Sequence, residues 1–235
     1  MKALVVQHDH LSPTGPVGRR LEHHGFEITE FLVVPEQNFY EPNVEVQFPD
    51  EREYDLVVYL GAPWGAWDDA CIGRWLEPEL EMCRTRVEAG RPVLGICFGG
   101  QLMARAMGGS VARGDHPEIG WKNIWSDDES LVGNGPWFQF HYDEFTVPPG
   151  AVEIARNPIT SQAFTIERSL GLQFHPELDS EALDGWLETD GRELVIADGQ
   201  DPDVMMAQTK AYDAAGEKRT YDLIDAFLTR VAKLV

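Results

Sequence analysis

Basic residues are scarce in this chain. Lysine and arginine number 19 against 40 aspartates and glutamates, a formal net charge of −21 over 235 residues. Binding nucleic acid requires a positive surface to neutralise phosphates, so that function class is disfavoured, and docking on anionic lipid fails for the same reason. Such a charge favours solubility and suits a basic partner surface without identifying one. Long apolar runs are also missing: none approaches the roughly 18 consecutive apolar residues of a membrane span. The apolar part of Met1–Gln7 is too short for a signal peptide and reads as a first strand. Cysteines number only three, an odd count without paired spacing, which argues against a disulfide framework and fits a reducing cytoplasm. Neither a P-loop nor a dinucleotide fingerprint occurs, so no cofactor is expected.

What is present is a foldable core. Hydrophobic residues make up 43% of the chain, enough to bury an interior without metal or disulfide staples. The length suits one domain over residues 1–235. Short β-branched runs alternate with amphipathic stretches: strands at Ala3–Gln7, Phe26–Val34, Tyr54–Leu60 and Pro92–Ile96, with helices ending near His24, spanning Arg74–Ala89 and spanning Phe98–Met107. The polar segment Pro35–Glu53 reads as a surface excursion. This alternation predicts an α/β fold with a mostly parallel central sheet flanked by helices. Six short strands then follow, at Val111–Arg113, Ile119–Trp125, Trp137–His141, Val152–Arg156, Ala163–Glu167 and Gly171–Phe174. They predict a smaller antiparallel or mixed extension of the sheet. A C-terminal helical extension over about 180–235 is expected as three helices, Glu181–Glu188, Val204–Ala215 and Lys218–Leu234.

The segment Val93-Leu94-Gly95-Ile96-Cys97-Phe98-Gly99-Gly100-Gln101 carries the chemistry. An apolar strand ends at Gly-x-Cys-x-Gly and a helix starts at once, the pattern of a nucleophile elbow that holds its residue strained and exposed. Gly95 and Gly99 let the two segments fold closely together. The helix N-terminus offers free N–H groups and partial positive charge, which favour a thiolate and an oxyanion. A buried structural cysteine is the plainer alternative, and Cys83, inside an expected helix, is read that way. A cysteine nucleophile needs a histidine and a group to orient it. In Gln173-Phe174-His175-Pro176-Glu177 a strand delivers His175 at its end, and Glu177, two residues on in an extended chain, lies on the same side.

Together these two segments resemble the class I, triad-type glutamine amidotransferases, and the resemblance runs from the first strand to at least Glu177. It implies the flavodoxin-like fold of that family, with Cys97 as nucleophile, His175 as acid/base and Glu177 as its orienter. Leu60-Gly61-Ala62-Pro63 falls where the family usually has Gly-Gly-Pro, so the resemblance gives Ala62 and Phe98 the oxyanion-hole amides. An alanine there is unstrained provided its φ is negative. Trp137–Asp143 resembles the segment whose backbone helps hold the glutamine α-amino and carboxylate groups. Gly61, Gln101, His141, Tyr142 and Asp143 are therefore expected substrate-binding residues, although Tyr142 stands where glycine is frequent. The reaction implied is attack of the Cys97 thiolate on the glutamine side-chain carbonyl, release of ammonia, and hydrolysis of a γ-glutamyl thioester, with no metal or nucleotide.

Other features are read more plainly. His8-Asp9-His10 and His23-His24 lack the convergence a metal site requires, so no metal is expected. His116 reads as a loop residue. Gly61–Gly65, with tryptophans at 64 and 67, is a candidate segment through which a partner could gate activity. Two substrates fit the same three groups: glutamine, with ammonia passed to a separate synthase or acceptor subunit, or γ-glutamyl amides and peptides, hydrolysed by a stand-alone enzyme. A scaffolding relative that kept only the fold is disfavoured by the intact Cys97, His175 and Glu177.

Overall fold

Strands buried on both faces organise the sheet. The computed structural model describes all 235 residues. In β1 (Lys2–Gln7) the four residues Ala3 to Val6 are all buried, and β3 (Leu56–Tyr59), β4 (Val93–Ile96) and β10 (Ser169–Leu172) are buried throughout. Continuous apolar runs of this kind belong to parallel strands covered by helices on both sides. They form the run β2-β1-β3-β4-β10, all parallel, with β2 spanning Glu27–Leu32. The sheet continues antiparallel through β9 (Ser161–Ile166), β8 (Val152–Arg156) and the two-residue β6 (Trp125–Ser126). A separate ribbon pairs β5 (Val111–Lys122) with β7 (Trp137–Phe145). The expected mostly parallel sheet with a smaller antiparallel extension is what the chain forms.

Alternation along each strand builds two cores. Ala3, Val5, Leu56, Val58, Leu94 and Ile96 pack with Val17 and Leu21 of α1 (Gly15–His23) and with Leu223 and Ile224 of α6 (Pro202–Ala226). On the opposite face Leu4, Val6, Val57, Tyr59 and Val93 pack with Ile72, Trp75, Cys83 and Val87 of α2 (Asp69–Glu88), and with Phe98, Leu102 and Met103 of α3 (Phe98–Ala106). Cys83 is thus a core residue, as its place in an expected helix implies.

Several boundaries differ from the sequence reading. Helix α2 starts five residues before Arg74, because the Asp68 carboxylate accepts from the Cys71 amide and caps it. Val111–Arg113 and Ile119–Trp125 are not separate strands. β5 runs continuously to Lys122, with an irregularity between Arg113 and Glu118 opposite Tyr142, so His116 sits in a strand bulge. Trp125, the last residue of the second expected strand, leaves that ribbon and with Ser126 joins β8 as β6. β7 extends four residues past His141, which places His141, Tyr142 and Asp143 on it. Beyond α4 (Ser180–Leu187), the helix α5 (Gly191–Ala197) has no counterpart in the sequence reading. The two last expected helices are one, α6, followed by a wide helical turn at Phe227–Val231. Gly216 is no break: it lies buried within α6, beside the Trp121 ring.

The segment 35–53 holds two short 3₁₀ turns, at Glu36–Asn38 and Glu51–Glu53, and is tied down rather than free. The buried Arg86 guanidinium donates to the carbonyls of Glu51, Tyr54 and Pro92, and the Trp75 indole donates to that of Pro42. The loops after β1, β3, β4 and β10 all emerge at the carboxyl ends of parallel strands, where open α/β sheets bind ligands.

Helix α3 rests on the sheet without side chains between: a Cβ on Gly99 would lie 2.2 Å from the Tyr59 carbonyl oxygen. Gly99→Ala is therefore expected to cost at least about 2 kcal/mol, whereas Gly133→Ala, with nothing within 4 Å of its Cβ position, should stay within about 0.5 kcal/mol. Urea unfolding midpoints measure both, and equal midpoints would remove the close-approach argument.

Candidate active site

Cys97 stands between β4 and α3 with φ 51° and ψ −107°, a conformation that L-residues rarely adopt. Such a residue costs roughly 1–3 kcal/mol and persists only where its surroundings impose it. Here they do. The Cys97 N–H donates to the Leu172 carbonyl at 2.9 Å, its own carbonyl accepts from Gln101 N at 2.9 Å, and the Gly99 N–H donates to Leu60 O at 3.2 Å. Cβ atoms on Gly95 and Gly100 would lie 2.4 Å from Gly99 O and 2.3 Å from Leu172 O. The expected strained turn is present, but the cysteine is not broadly exposed. It is 5% accessible and opens only into a cavity.

His175 follows the end of β10, its N–H donating to the Phe138 carbonyl at 2.9 Å. Its Nδ1–H donates to Glu177 Oε1 at 2.7 Å, with both side chains buried. That fixes the tautomer and leaves Nε2, which has no hydrogen-bond partner, as the atom free to exchange a proton. Burial lowers the His175 pKa, but the negative charges available at Cys97 and Glu177 outweigh it and raise it well above the ordinary value. Thr220 of α6 donates to the Pro176 carbonyl at 2.7 Å, and the edge of Trp186 meets the imidazole at 5.1 Å between centroids.

These groups face a cavity of about 620 Å³. Gly61, Ala62, Cys97, Phe98, Gln101 and His175 line it, and His141, Tyr142 and Asp143 form a wall. Glu177 alone of the residues singled out from the sequence stands behind the lining. Ala62 is not among the residues with positive φ, so alanine is accommodated there without strain. Gln101 donates through Nε2 to the Asp143 carbonyl at 3.3 Å and to Gln173 Oε1 at 3.4 Å. The His141 ring is committed to its own surroundings, 3.1 Å from the Asp143 carbonyl and 3.3 Å from buried Glu118. Tyr142 lies under the guanidinium of Arg113, 4.7 Å from its ring centroid, and both line the cavity. The Gly61–Gly65 loop is packed down: a Cβ on Gly65 would lie 2.6 Å from Trp67 and 2.9 Å from Asp143.

Three residues escape a reading of the sequence. Gln173 reaches toward Cys97 Sγ, with Nε2 at 3.9 Å. Strand alternation could have found it, because residues 173 and 175 share a side. His8, considered only as a metal ligand, is fully buried. It contacts the Gly61 carbonyl at 3.1 Å and Glu79 Oε1 at 3.0 Å. Its neighbour His10 instead packs edge-on against Phe39. No local signal connects His8 with the third, Glu79, 71 residues away.

Residues 19–190 match the family described as glutamine amidotransferase class-I. The chain is 33% identical over 148 residues to a glutamine-hydrolysing GMP synthase of Aeropyrum pernix, covering 57% of this chain and 27% of that protein. It is 34% identical to a subunit of the glutamine-hydrolysing GMP synthase of Ignicoccus hospitalis (55% of this chain, 70% of the relative). It is 32% identical to the glutamine amidotransferase-like protein chyE of Penicillium rubens (62% and 65%). The match thus spans only about a quarter of the first of these relatives. In fold, the chain is similar to a glutamine amidotransferase from Thermotoga maritima, with TM-score 0.81, 23% identity, and 97% and 98% of the two chains covered. A Methylobacillus flagellatus glutamine amidotransferase gives 0.82 at 24% identity, covering 97% and 94%. The chain belongs to the class-I glutamine amidotransferase family, whose members are cysteine-nucleophile amidohydrolases.

Proposed function

We propose that this protein hydrolyses the side-chain amide of glutamine through a γ-glutamyl thioester on Cys97 and delivers ammonia to a separate acceptor enzyme. The observation that carries the reading is the meeting, at one end of the cavity, of a strained elbow cysteine and a histidine oriented by a carboxylate at 2.7 Å. The Cys97 thiolate attacks the amide carbon, and the oxyanion formed is stabilised by the Ala62 and Phe98 N–H groups. Protonated His175 gives its Nε2 proton to the departing nitrogen, and ammonia leaves. Neutral His175 then takes a proton from water, which attacks the thioester, releasing glutamate and regenerating the thiol. Glu177 holds the ring throughout. Gly61, Gln101, His141, Tyr142 and Asp143 form the glutamine-binding wall. Residues 1–235 act as one domain, a reading supported by α6 sharing a core with β1 and holding Pro176. Similarity to one subunit of a GMP synthase supports a separate acceptor without identifying it.

One observation favours the second reading, a hydrolase of γ-glutamyl amides or peptides. A cavity of 620 Å³ falls within the range of about 300–1,000 Å³ typical of sites for ligands larger than one amino acid. Trp64, Phe140 and Trp186 line it as well and would face a leaving group. Steady-state turnover of glutamine and of a γ-glutamyl anilide by the isolated protein separates the two. Brisk anilide cleavage with slow glutamine turnover would establish the hydrolase. The acceptor-coupled reading expects the anilide to be inert and glutamine turnover to be slow until an acceptor enzyme is added.

Cys97→Ala should abolish glutamate release with the fold intact. His175→Ala should lose roughly 10²–10⁴-fold in kcat, and Glu177→Ala less. A glutamine-derived diazoketone should label Cys97 only. Cys71 lines the same cavity and serves as an internal control, its thiol pKa raised by burial and by Asp68. A label on Cys71 or Cys83, located by mass spectrometry, would refute the choice of nucleophile.

A further inference from the structure

The carbonyl of Gly61 and the N–H of Ala62 belong to one peptide unit. A trans peptide is planar, with its C=O and N–H pointing in opposite directions. Whatever holds the carbonyl therefore aims the amide. On the carbonyl side is the His8 ring, whose Nδ1 lies 3.1 Å from Gly61 O. The site of a Cβ on Gly61 lies 3.3 Å from His175 Cε1 and 4.0 Å from Cys97 Cβ. Gly61 thus touches a buried histidine through its carbonyl and the reacting groups through its Cα.

We infer that His8 is a positioning residue for the oxyanion hole, its grip on the Gly61 carbonyl holding the Ala62 N–H toward the cavity beside Cys97. The inference rests on the reading of Ala62 as an oxyanion donor. A carbonyl only accepts, so Nδ1 must carry a proton. The other ring nitrogen, Nε2, faces Glu79 Oε1 at 3.0 Å. With both nitrogens facing oxygen, the pair must hold one proton between Nε2 and the carboxylate, which ties the ring to α2. Both side chains are fully buried, and Glu79 Oε2 has no other partner, so that carboxylate's bonding is directed to His8 alone. Burial lowers the His8 pKa, yet Glu79 and the Gly61 carbonyl more than reverse this and raise it. The same ring lies 4.5 Å from that of Phe98, the residue supplying the second oxyanion amide, and stacks at 5.5 Å on Trp75. A buried ion pair is a poor way to fill a core when only stability is required. Its contact with the backbone of the oxyanion loop gives it another role.

The test uses two substitutions that divide the functions of the ring. The Asn side-chain amide reaches the position of Nδ1, whereas the Gln amide reaches that of Nε2. His8→Asn keeps a donor for Gly61 and should retain kcat within about tenfold, while His8→Gln loses it and should fall roughly 10²–10³-fold, the loss typical of one oxyanion donor. KM should be unchanged in both. Alkylation of Cys97 by iodoacetamide, a displacement that forms no oxyanion, should proceed at the parent rate in both and reports an intact thiol site. Parent-like kcat in His8→Gln, equal losses in the two variants, or alkylation that falls in step with hydrolysis would overturn the inference. Should both variants fail to fold, Glu79→Gln carries the test, since it leaves both side chains in place and removes the charge that fixes the ring. A kcat drop of about tenfold with unchanged alkylation is expected, and an unaltered kcat overturns the clamp. Parent-like hydrolysis by Cys97→Ala would instead sink the reading of the site itself.

Discussion

The arrangement depends on the absence of side chains at three positions where α3 meets the sheet. Because Gly95, Gly99 and Gly100 carry none, the helix closes to backbone contact with β3, β4 and β10. The chain can then make that approach only by turning sharply at residue 97. The unfavourable φ of Cys97 is thus a consequence of packing at neighbouring glycines, and it is held by hydrogen bonds to two segments distant in sequence, at Leu60 and Leu172, and by one from Gln101 in the adjoining helix. The result is a sulfur fixed at the N-cap of a helix, beside the free amide groups of its first turn.

Around that point the protein repeats one device. His8, His141 and His175 are each buried against a glutamate, respectively Glu79, Glu118 and Glu177; His141 and His175 line the cavity, and His8 stands behind Gly61, which lines it too. For His8 and His175 the facing glutamate raises the imidazole pKa against the effect of burial. Such pairs add little net stability compared with apolar packing, but removing one partner leaves a charge or polar atom buried and unpaired. Geometry at the site is therefore protected by the cost of disturbing it.

The parallel half of the sheet was legible in the sequence, and so was the meeting of Cys97, His175 and Glu177 at one cavity, because both are written locally. A run of buried aliphatics identifies a strand, and the spacings of residues 95–101 and 173–177 set the proposed nucleophile and base just beyond strand ends. What escaped was set by partners distant in the chain. The bulge in β5 depends on the register with β7, and the setting of His8 depends on Glu79 and Gly61. Periodicity carries no information about such meetings. A histidine after a strand reads as an ordinary polar residue until the carbonyl above it is known.

The shared core of β1 and α6 bears on how the molecule is made. The apolar face that Ala3 and Val5 present is completed by Leu223 and Ile224, more than 200 residues later. On a ribosome the first strand emerges long before the helix that covers it, and the apolar surface it exposes is open to chaperones and to misassociation in the interval. Thr220, which braces Pro176 beside the imidazole and its carboxylate, arrives with that same helix. Docking of α6 therefore covers part of that core and supplies the bracing of Pro176 beside His175, so a nascent chain lacks that support until α6 is added.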